Sequence, residues 1–502
     1  MKTASSYIIP ADFPDPDVIC VDDTYYMVST TMHFMPGCVI LRSYNLVDWE
    51  HAAYVFDQLE ATPGQTLQDN KGIYGKGMWA ASLRYHRGKF YIAFVANDTH
   101  KTYLYTSDKI EGPWQKSEIK GFFHDMSLLF DDDDRIYCVS GNTDITLTEM
   151  EPDMSGPKAG GINKVIIQDN PEKALLGYEG SHFYKINGKY YIFLIHIPKG
   201  QMRTEACFVS DKIDGPYTGK DVLCSDLAGW NSGTAQGGLV QAKDGKYYSI
   251  VFQDHGALGR IPVLIPVSFE KDFPVFGNAG ITPETVTVTD NRPNYKYQPL
   301  YSNDFTNPAW QWNHIPDKSL ISLERSVFSI KTGKICKNPV QAANTLTQRT
   351  FTEHCSGSVN LDASKLNEGD IAGLCALEGE YGFIGITKKD GKLKLIMAEH
   401  KIPYSPWSMG VYDNEEPVII DEKELDSAEI TLKATFCLEH AKEKVQFSYY
   451  DNKKGKYIDF GNAVKLRYTL DQFVGVRFAI FCYSTKNTGG SATFKEFKLE
   501  IL

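Results

Sequence analysis

Several features that mark common protein classes are missing from this sequence of 502 residues. Its ten cysteines contain no C-x-x-C pair, which argues against a zinc cluster or a thioredoxin-like site. No apolar run approaches the roughly 20 residues of a membrane span, so no membrane segment is predicted. Lysine and arginine number 52 against 63 acidic residues, and the net charge of -11 argues against a nucleic-acid partner.

A secretory signal and helical periodicity are also missing. The N-terminal segment MKTASSYIIPADF has no apolar stretch of the signal type. We therefore expect a cytoplasmic protein, or a periplasmic or secreted one if a signal peptide has been removed. Before residue 290, Gly and Asp interrupt the apolar runs every 8 to 12 residues, which predicts an all-β first half.

Five aromatic doublets, one of them a loose match, are the most regular feature that is present. Each follows a turn and opens an apolar run: Tyr25-Tyr26, Phe90-Tyr91, Ile136-Tyr137, Tyr190-Tyr191 and Tyr247-Tyr248. The second members are 65, 46, 54 and 57 residues apart, which suits one four-stranded unit per repeat. This rhythm predicts a five-bladed β-propeller.

A second set of repeats lies between the doublets. SDKIEGPW (107–114) and SDKIDGPY (210–217) are close copies, and RSYNLVDWE (42–50) is a looser relative. Each follows its doublet by about 20 residues. We predict that each forms the turn and outer strand of a blade.

The chain is too long for one core, and its second part has a different pattern. A segment rich in Pro, Asn and Tyr, 289–305, is predicted to be a linker. Short alternating strands follow it, as in EITLKATFCLE (429–439) and VGVRFAIFCY (474–483), and indicate a two-sheet sandwich. The predicted domains are a propeller over 1–295 and a β-sandwich over 300–502.

One position per repeat carries the candidate chemistry. Eleven or twelve residues before the second member of each doublet stand Asp15, Trp79, Asp125, Glu179 and Gln236. We predict that all five lie on the strand before the doublet, which lines the central channel of a propeller. Three carboxylates from three blades would then converge. Converging carboxylates can have different pKa values, and glycoside hydrolysis needs one protonated and one ionised carboxyl group.

A structural role competes with this interpretation at each position. Asp15 lies beside Asp12 and Asp17 in ADFPDPDV, where Asp-Pro is common in turns. Asp125 is an acid in an otherwise apolar segment, which is costly unless the acid is paired or functional. Glu179 precedes Gly180 at the start of a strand. Spacing alone leaves both roles open for all three.

Six ordered motifs resemble glycoside hydrolase family 43, and the resemblance continues into the second domain. The motifs are FPDPDV (13–18), MPGCVILRSYNLVDWE (35–50), MWAASLRYHRGKFYI (78–92), HDMSLLFDDD (124–133), YEGSHFYKINGKYY (178–191) and FQDHGALGRIPVLIPV (252–267). Residues 308–324 and 474–494 resemble the concanavalin-like, jelly-roll β-sandwich that follows the propeller in the β-xylosidase branch.

The resemblance implies a mechanism with inversion and a role for each acid. Asp15 would be the general base, Glu179 the general acid, and Asp125 the residue that tunes and orients the acid. Arg260 would contact the substrate near the base, with Gln236 also on the substrate side. The residues expected to form walls of the sugar subsite are His33, Phe34 and Trp79.

No cofactor is expected to be required, although calcium near the propeller axis is one alternative for His255. Many members of the family bind calcium through a His there, and QDHG places His255 in the matching motif. A lone His without an acidic cluster is also common as a hydrogen-bonded structural residue. Ala81, Met126 and Ala235 depart from the family pattern, which puts the shape of the subsite and the metal site in doubt.

The predicted function is an exo-acting glycosidase that releases β-D-xylose or α-L-arabinofuranose from oligosaccharides of plant hemicellulose. Its partner would be the oligosaccharide, and the chain could form a homo-oligomer. One alternative is a catalytically silent carbohydrate-binding propeller. Another is a five-bladed fructan hydrolase that works with retention, but its motifs W-M-N-D-P-N-G and R-D-P are missing here.

Overall fold

The computed structural model of the chain describes residues 1–402 and 414–502, in which β-strands predominate. The first part is a five-bladed β-propeller and the second a β-sandwich, as predicted. Among the described residues, no helix has the length and apolar character needed to cross a membrane. The described ranges contain three short 3-10 helices, at Gly256–Leu258, Lys318–Leu320 and Pro339–Gln341.

Each blade is a four-stranded antiparallel sheet whose strands follow one another in chain order. Blade 1 contains Asp17–Val21, Thr24–Ser29, Gly37–Ser43 and Glu50–Phe56. Blade 2 contains Met78–His86, Lys89–Ala96, Lys101–Ser107 and Gln115–Ile119. Blade 3 contains Ser127–Phe130, Ile136–Asn142, Asp144–Met150 and Asn163–Gln168. Blade 4 contains Ala174–Ile186, Lys189–Pro198, Thr204–Ser210 and Thr218–Leu223. Blade 5 contains Ala235–Gln241, Tyr247–Asp254, Arg260–Glu270 and Phe273–Phe276.

The first strands of neighbouring blades contact one another in a closed ring, so they are the inner strands. Every aromatic doublet lies on the second strand of its blade, as predicted. Five buried apolar clusters fill the spaces between successive blades, including the one between blades 5 and 1. A short sheet of Lys2–Ser5 and Thr285–Val288 packs beside that last space.

Glycine stands two residues before three of the doublets, and in blades 2 and 4 the turn explains why. In blade 2, Arg87 and Gly88 have φ values of 48° and 80°, and in blade 4 Asn187 and Gly188 have values of 50° and 80°. Two successive residues with positive φ are typical of a type I′ hairpin, whose twist matches that of its strands. Glycine is therefore needed at the second turn position for its backbone conformation.

The copied octapeptides form equivalent turns between the third and fourth strands. The Ser107 hydroxyl accepts a hydrogen bond from the Lys109 N–H at 3.2 Å, and Ser210 accepts one from Lys212 at 3.1 Å. This agrees with the predicted turn and outer strand.

A buried ionic network crosses the propeller axis. Arg84 of blade 2 donates to the Asp17 carboxylate of blade 1 at 2.7 Å and to the Ser127 hydroxyl of blade 3 at 2.7 Å. Asp17 also accepts from the Leu83 N–H. Although burial opposes it, the Arg84 charge lowers the pKa of Asp17 to about 2. The network therefore joins the inner strands of blades 1, 2 and 3.

In the part of the chain that the structure describes, the sandwich consists of two eight-stranded sheets packed around one large apolar core. The first has the order Val418–Glu424, Lys392–His400, Tyr381–Lys389, Asp370–Leu377, Arg477–Ser484, Leu346–Arg349, Trp310–Asn313 and Phe34–Met35. The second has the order Ile321–Leu323, Val327–Lys331, Ser491–Ile501, His354–Asp362, Glu429–Cys437, Lys444–Asp451 and Lys456–Asp459, with Val464–Lys465 beside Lys444–Asp451.

The two parts are joined by more than the chain connection. Phe34–Met35, between two strands of blade 1, forms the edge strand of a sandwich sheet by pairing with Trp312 and Asn313. The Asp12 carboxylate accepts from the Arg260 N–H of the propeller at 2.8 Å and from the Gly475 N–H of the sandwich at 3.0 Å. These contacts fix the sandwich loop around residue 473 relative to the propeller.

Candidate active site

A cavity of about 530 Å³ lies at one end of the inner strands, under a loop of the sandwich. This volume is in the usual range for a small-molecule site. The cavity is lined by Asp15, Trp79, Ala80, His124, Asp125, Asn142, Leu175, Leu176, Glu179, Ile195, Ile197, Arg203, Gln236, Phe252, Arg260, Leu470 and Phe473. It therefore receives all five positions that the repeat offset selects.

Two of these five positions differ from the predicted secondary structure. The prediction placed all five on inner strands, but Asp15 and Asp125 each lie two residues before the inner strand begins. Both have left-handed backbones, with φ of 51° and 47°. Asp tolerates this conformation better than most residues, and the turn directs its carboxylate into the cavity.

Asp15 is paired with Arg260. The Arg260 Nη1 donates to Asp15 Oδ1 at 2.9 Å, and both side chains are buried. Burial raises the pKa of Asp15, and the Arg260 charge opposes that rise. Asp15 is thus a carboxylate that is more basic than usual but is held beside a fixed positive charge.

Arg260 is itself held by the sandwich. Its Nη2 donates to the Phe473 carbonyl at 3.3 Å, and its guanidinium lies 4.5 Å from the centre of the Phe473 ring. The Phe252 ring contacts the same guanidinium at 5.4 Å. Asp15, together with the Coulomb effect of nearby acids, raises the pKa of Arg260 against the opposing effect of burial.

Asp125 and Glu179 form the other acidic group. The Gly180 N–H donates to Asp125 Oδ2 at 3.0 Å, which ties Asp125 to the strand that carries Glu179. The Asn142 side-chain amide donates to Glu179 Oε2. Burial raises the pKa of Asp125, and the Glu179 charge adds to this effect while His124 opposes it.

His124 lies between these two carboxylates and was missed by the sequence interpretation. Its Nε2 is 3.4 Å from Glu179 Oε2 and 3.7 Å from Asp125 Oδ2. The Asp125 charge, helped by Glu179 and opposed by burial, raises the pKa of His124 to about 9. An imidazolium therefore stands beside both acids at neutral pH. The position of His124 directly before Asp125 is the signal by which the sequence could have identified it as a site residue.

Trp79 and Gln236 complete the set. The Trp79 ring lies 5.9 Å from the His124 ring and 5.6 Å from the Phe473 ring, as a wall between the two domains. The Gln236 N–H donates to the buried Glu205 at 2.7 Å, and burial raises the pKa of Glu205 to about 8. Both side chains line the cavity, as the offset predicts.

The prediction that His33 and Phe34 form walls of the subsite is wrong. Both are fully buried at the domain interface, with 0% and 1% exposure, and neither lines the cavity. His33 packs against Phe34, Tyr74 and His314. Phe34 lies 3.4 Å from the Arg477 guanidinium, in the strand that pairs with the sandwich. Phe473 from the sandwich lines the cavity instead.

The surroundings of His255 do not fit a calcium ion. Its ring stacks on Trp230 at 4.2 Å and meets the edge of Tyr7 at 4.8 Å, while its Nε2 pairs with the Gln253 side-chain oxygen at 3.2 Å. Burial lowers the pKa of His255 to about 3. Calcium prefers several oxygen ligands, but among the described residues no group of three metal-ligating side chains includes His255.

Two sequence profiles match the chain. The profile of glycosyl hydrolases family 43 matches residues 5–274, and that of the beta xylosidase C-terminal concanavalin A-like domain matches residues 300–500. The chain belongs to glycosyl hydrolases family 43. It is therefore a glycoside hydrolase of a family that works with inversion, and a catalytically silent propeller is not favoured. Enzymes of family 43 generally need no cofactor.

Individual proteins resemble most of the chain or all of it. A beta-xylosidase of Formosa agariphila is 28% identical over 455 residues, which covers 78% of this chain and 76% of the relative. A non-reducing end alpha-L-arabinofuranosidase of Bacteroides ovatus is 28% identical, with 78% and 77% covered. The solved structure of a bifunctional family 43 protein from Bacteroides eggerthii has a TM-score of 0.89 at 38% identity. It matches 100% of this chain, which spans only 64% of that longer protein.

Proposed function

We propose that this enzyme removes a terminal pentose, β-D-xylose or α-L-arabinofuranose, from the ends of hemicellulose oligosaccharides. Asp15 is the general base, Glu179 is the general acid, and Asp125 orients and tunes Glu179. The observation that carries this proposal is the meeting of three carboxylates, from blades 1, 3 and 4, in one cavity.

The proposed reaction is a single displacement. Glu179 gives its proton to the glycosidic oxygen as the bond from that oxygen to C1 breaks. Asp15 takes a proton from a water molecule, whose oxygen forms the new bond to C1 from the opposite face. The product has inverted configuration, Asp15 ends protonated and Glu179 ionised, and exchange with solvent restores both. An inverting pair stands about 6.5 to 9.5 Å apart to leave room for the water.

The surroundings of the acids support these two roles. Asp15 has Arg260 at 2.9 Å, which favours its ionised form, while burial makes it a better base than an exposed Asp. Glu179 accepts from Asn142 and stands next to His124, so its carboxyl group is held in one orientation.

The closure of the cavity supports action at chain ends. Leu470 and Phe473 of the sandwich cover one side of a space that the propeller would otherwise leave open. A cavity closed on one side admits one terminal sugar more readily than an internal segment. The names of the relatives, one a beta-xylosidase and one an arabinofuranosidase, support a pentose as that sugar.

The test compares 4-nitrophenyl β-D-xylopyranoside and α-L-arabinofuranoside with the corresponding oligosaccharides, for the wild type and Glu179→Gln. Loss of the acid should reduce kcat on oligosaccharides by about 10² to 10⁴-fold, and less on nitrophenyl substrates, whose leaving group needs little protonation. Proton NMR should show the inverted anomer first. Glu500→Gln, at an exposed carboxylate of the sandwich, serves as the control. Full activity of Glu179→Gln on both substrate classes would show that the acid is another residue.

Compartment and assembly are separate proposals. We propose a cytoplasmic enzyme, or a periplasmic or secreted one if a signal peptide is removed, and a homo-oligomer is the expected alternative to a monomer. Fractionation of the cells that produce the protein tests the compartment, and light scattering of the purified protein tests the oligomeric state.

A further inference from the structure

One wall of the cavity is entirely aliphatic. Four side chains of blade 4 line it, and we call them the aliphatic ledge: Leu175, Leu176, Ile195 and Ile197. Leu175 is 65% exposed, and Leu176 and Ile197 are half-buried. Single exposed leucines are common on protein surfaces, but this one continues a wall inside the active-site cavity.

The strand register places the ledge next to the proposed acid. Leu176 pairs with Ile197 across the first two strands of blade 4, and Glu179 pairs with Ile195. The register shifts on both sides of Leu176, so the normal alternation is interrupted and two adjacent leucines reach one cavity. Three residues of strand span at most about 10 Å, so Leu176 lies within about 10 Å of Glu179 along the strand.

The polar groups of the cavity belong to other parts of the site. Asp15 and Arg260 are paired with each other, and Arg203 is paired with Asp254. The Asn142 side-chain amide donates to Glu179. The ledge itself offers no side-chain hydrogen bond to sugar hydroxyls, since all four of its members are hydrocarbon.

We infer that the subsite for the leaving group selects a group with an apolar substituent, such as an ester-linked acyl group or an aromatic ring, over an unsubstituted sugar. This rests on the proposed function, because the acid stands beside the leaving-group oxygen and the ledge begins at the acid. Hydroxyl groups placed on the ledge would lose water without gaining partners, whereas an apolar substituent gains from the same burial.

The test uses pentosides with unactivated leaving groups, so that only the substituent changes. The 2-phenylethyl and 2-hydroxyethyl glycosides of the same pentose form one pair. A pentose disaccharide with and without an O-acetyl group on its leaving sugar forms the other. The wild type should prefer the apolar member by about tenfold in kcat/KM in at least one pair, and that pair identifies the source of the apolar group.

The variants Leu175→Asn and Leu176→Asn should reduce this preference to less than about threefold, through a loss of kcat/KM on the apolar member of the pair. Because Leu175 is exposed, its replacement leaves the fold intact. Ile281→Asn is the matched control, since Ile281 is 62% exposed and outside the cavity. Equal rates within both pairs, or a preference that survives both variants, would overturn the inference. A wild type that cleaves none of the four pentosides would instead refute the proposed function.

Discussion

Replacement of His124 by Gln is the sharpest test of the electrostatics in the site. The imidazolium is 3.4 Å from Glu179 and 3.7 Å from Asp125, with only 23% of its side chain exposed. Its pKa rises from the ordinary 6.5 to about 9. This difference corresponds to about 3 kcal/mol of net stabilisation of the charged ring. His124→Gln removes that charge and keeps a polar side chain of similar length.

The same interaction favours the ionised forms of the two acids, because the coupling between charged groups is mutual. Divided between the two carboxyl groups, a loss of about 3 kcal/mol is about 1.5 kcal/mol for each, and it favours their protonated forms. The basic limb of the kcat/KM profile reports loss of the proton from the acid in the free enzyme, so the limb should move up by about 1 pH unit. A weaker acid should also lower kcat on oligosaccharides by about three- to tenfold.

The sign of the effect follows from the direction of the His124 shift. The stabilisation of the imidazolium is complete below its unfolded pKa and is lost as the pH rises through about 9. Wild type and variant should therefore differ most near neutral pH and become similar above pH 9. The assay is kcat/KM from pH 4 to 10 on an unactivated pentoside. His354→Gln is the control, because His354 pairs with Glu439 in the sandwich.

An unchanged basic limb together with a raised KM would refute this reasoning, since it would make His124 a contact for the sugar alone. His124→Lys offers a second check, because it restores a positive charge without the imidazole shape. If charge is the main contribution, the limb in this variant should return toward that of the wild type.

Two further predictions concern the axis and the sandwich loop. Asp17→Asn leaves the Arg84 guanidinium buried without its counter-charge, which should cost about 3 to 5 kcal/mol and lower Tm by roughly 6 to 15 °C at pH 7. Because the pKa of Asp17 is lowered to about 2, the difference in Tm should shrink as the pH falls below 4. Calorimetry measures Tm, and a variant whose Tm at pH 7 lies within 2 °C of that of the wild type would contradict this prediction. Phe473→Ala should raise KM for oligosaccharides about tenfold with a smaller change in kcat, and unchanged steady-state parameters would show that the loop does not bind substrate.

Much of the propeller could be predicted because each blade repeats a local chemical pattern. A type I′ turn requires positive φ at two residues, so Gly88 and Gly188 occur at fixed places before the second strand. The doublet tyrosines fill the spaces between blades, which makes their spacing a measure of blade length. Counting back from them found Asp15, Asp125 and Glu179 without any knowledge of the tertiary structure.

Contacts between distant segments could not be predicted in this way. His33 and Phe34, which the family resemblance places in the walls of the sugar subsite, lie between the second and third strands of blade 1. They are buried because Phe34–Met35 pairs with Trp312 and Asn313, almost 280 residues later. Phe473 is the opposite case, a residue that lines the cavity but was not predicted to do so. Nothing in its local sequence distinguishes it from a core residue. Its place in the cavity follows from the Gly475 N–H, which Asp12 of the propeller holds at 3.0 Å.

The sandwich therefore does more than close the cavity. Arg260 is the positive charge that favours the ionised form of Asp15, the proposed base, and its Nη2 donates to the Phe473 carbonyl. If that carbonyl moved, Arg260 would lose a buried acceptor, and its geometry toward Asp15 would loosen. The environment of Asp15 thus depends on a backbone atom that lies 458 residues away in the chain. In the proposed mechanism, residues of both domains must therefore be correctly packed before Asp15 can take a proton from water.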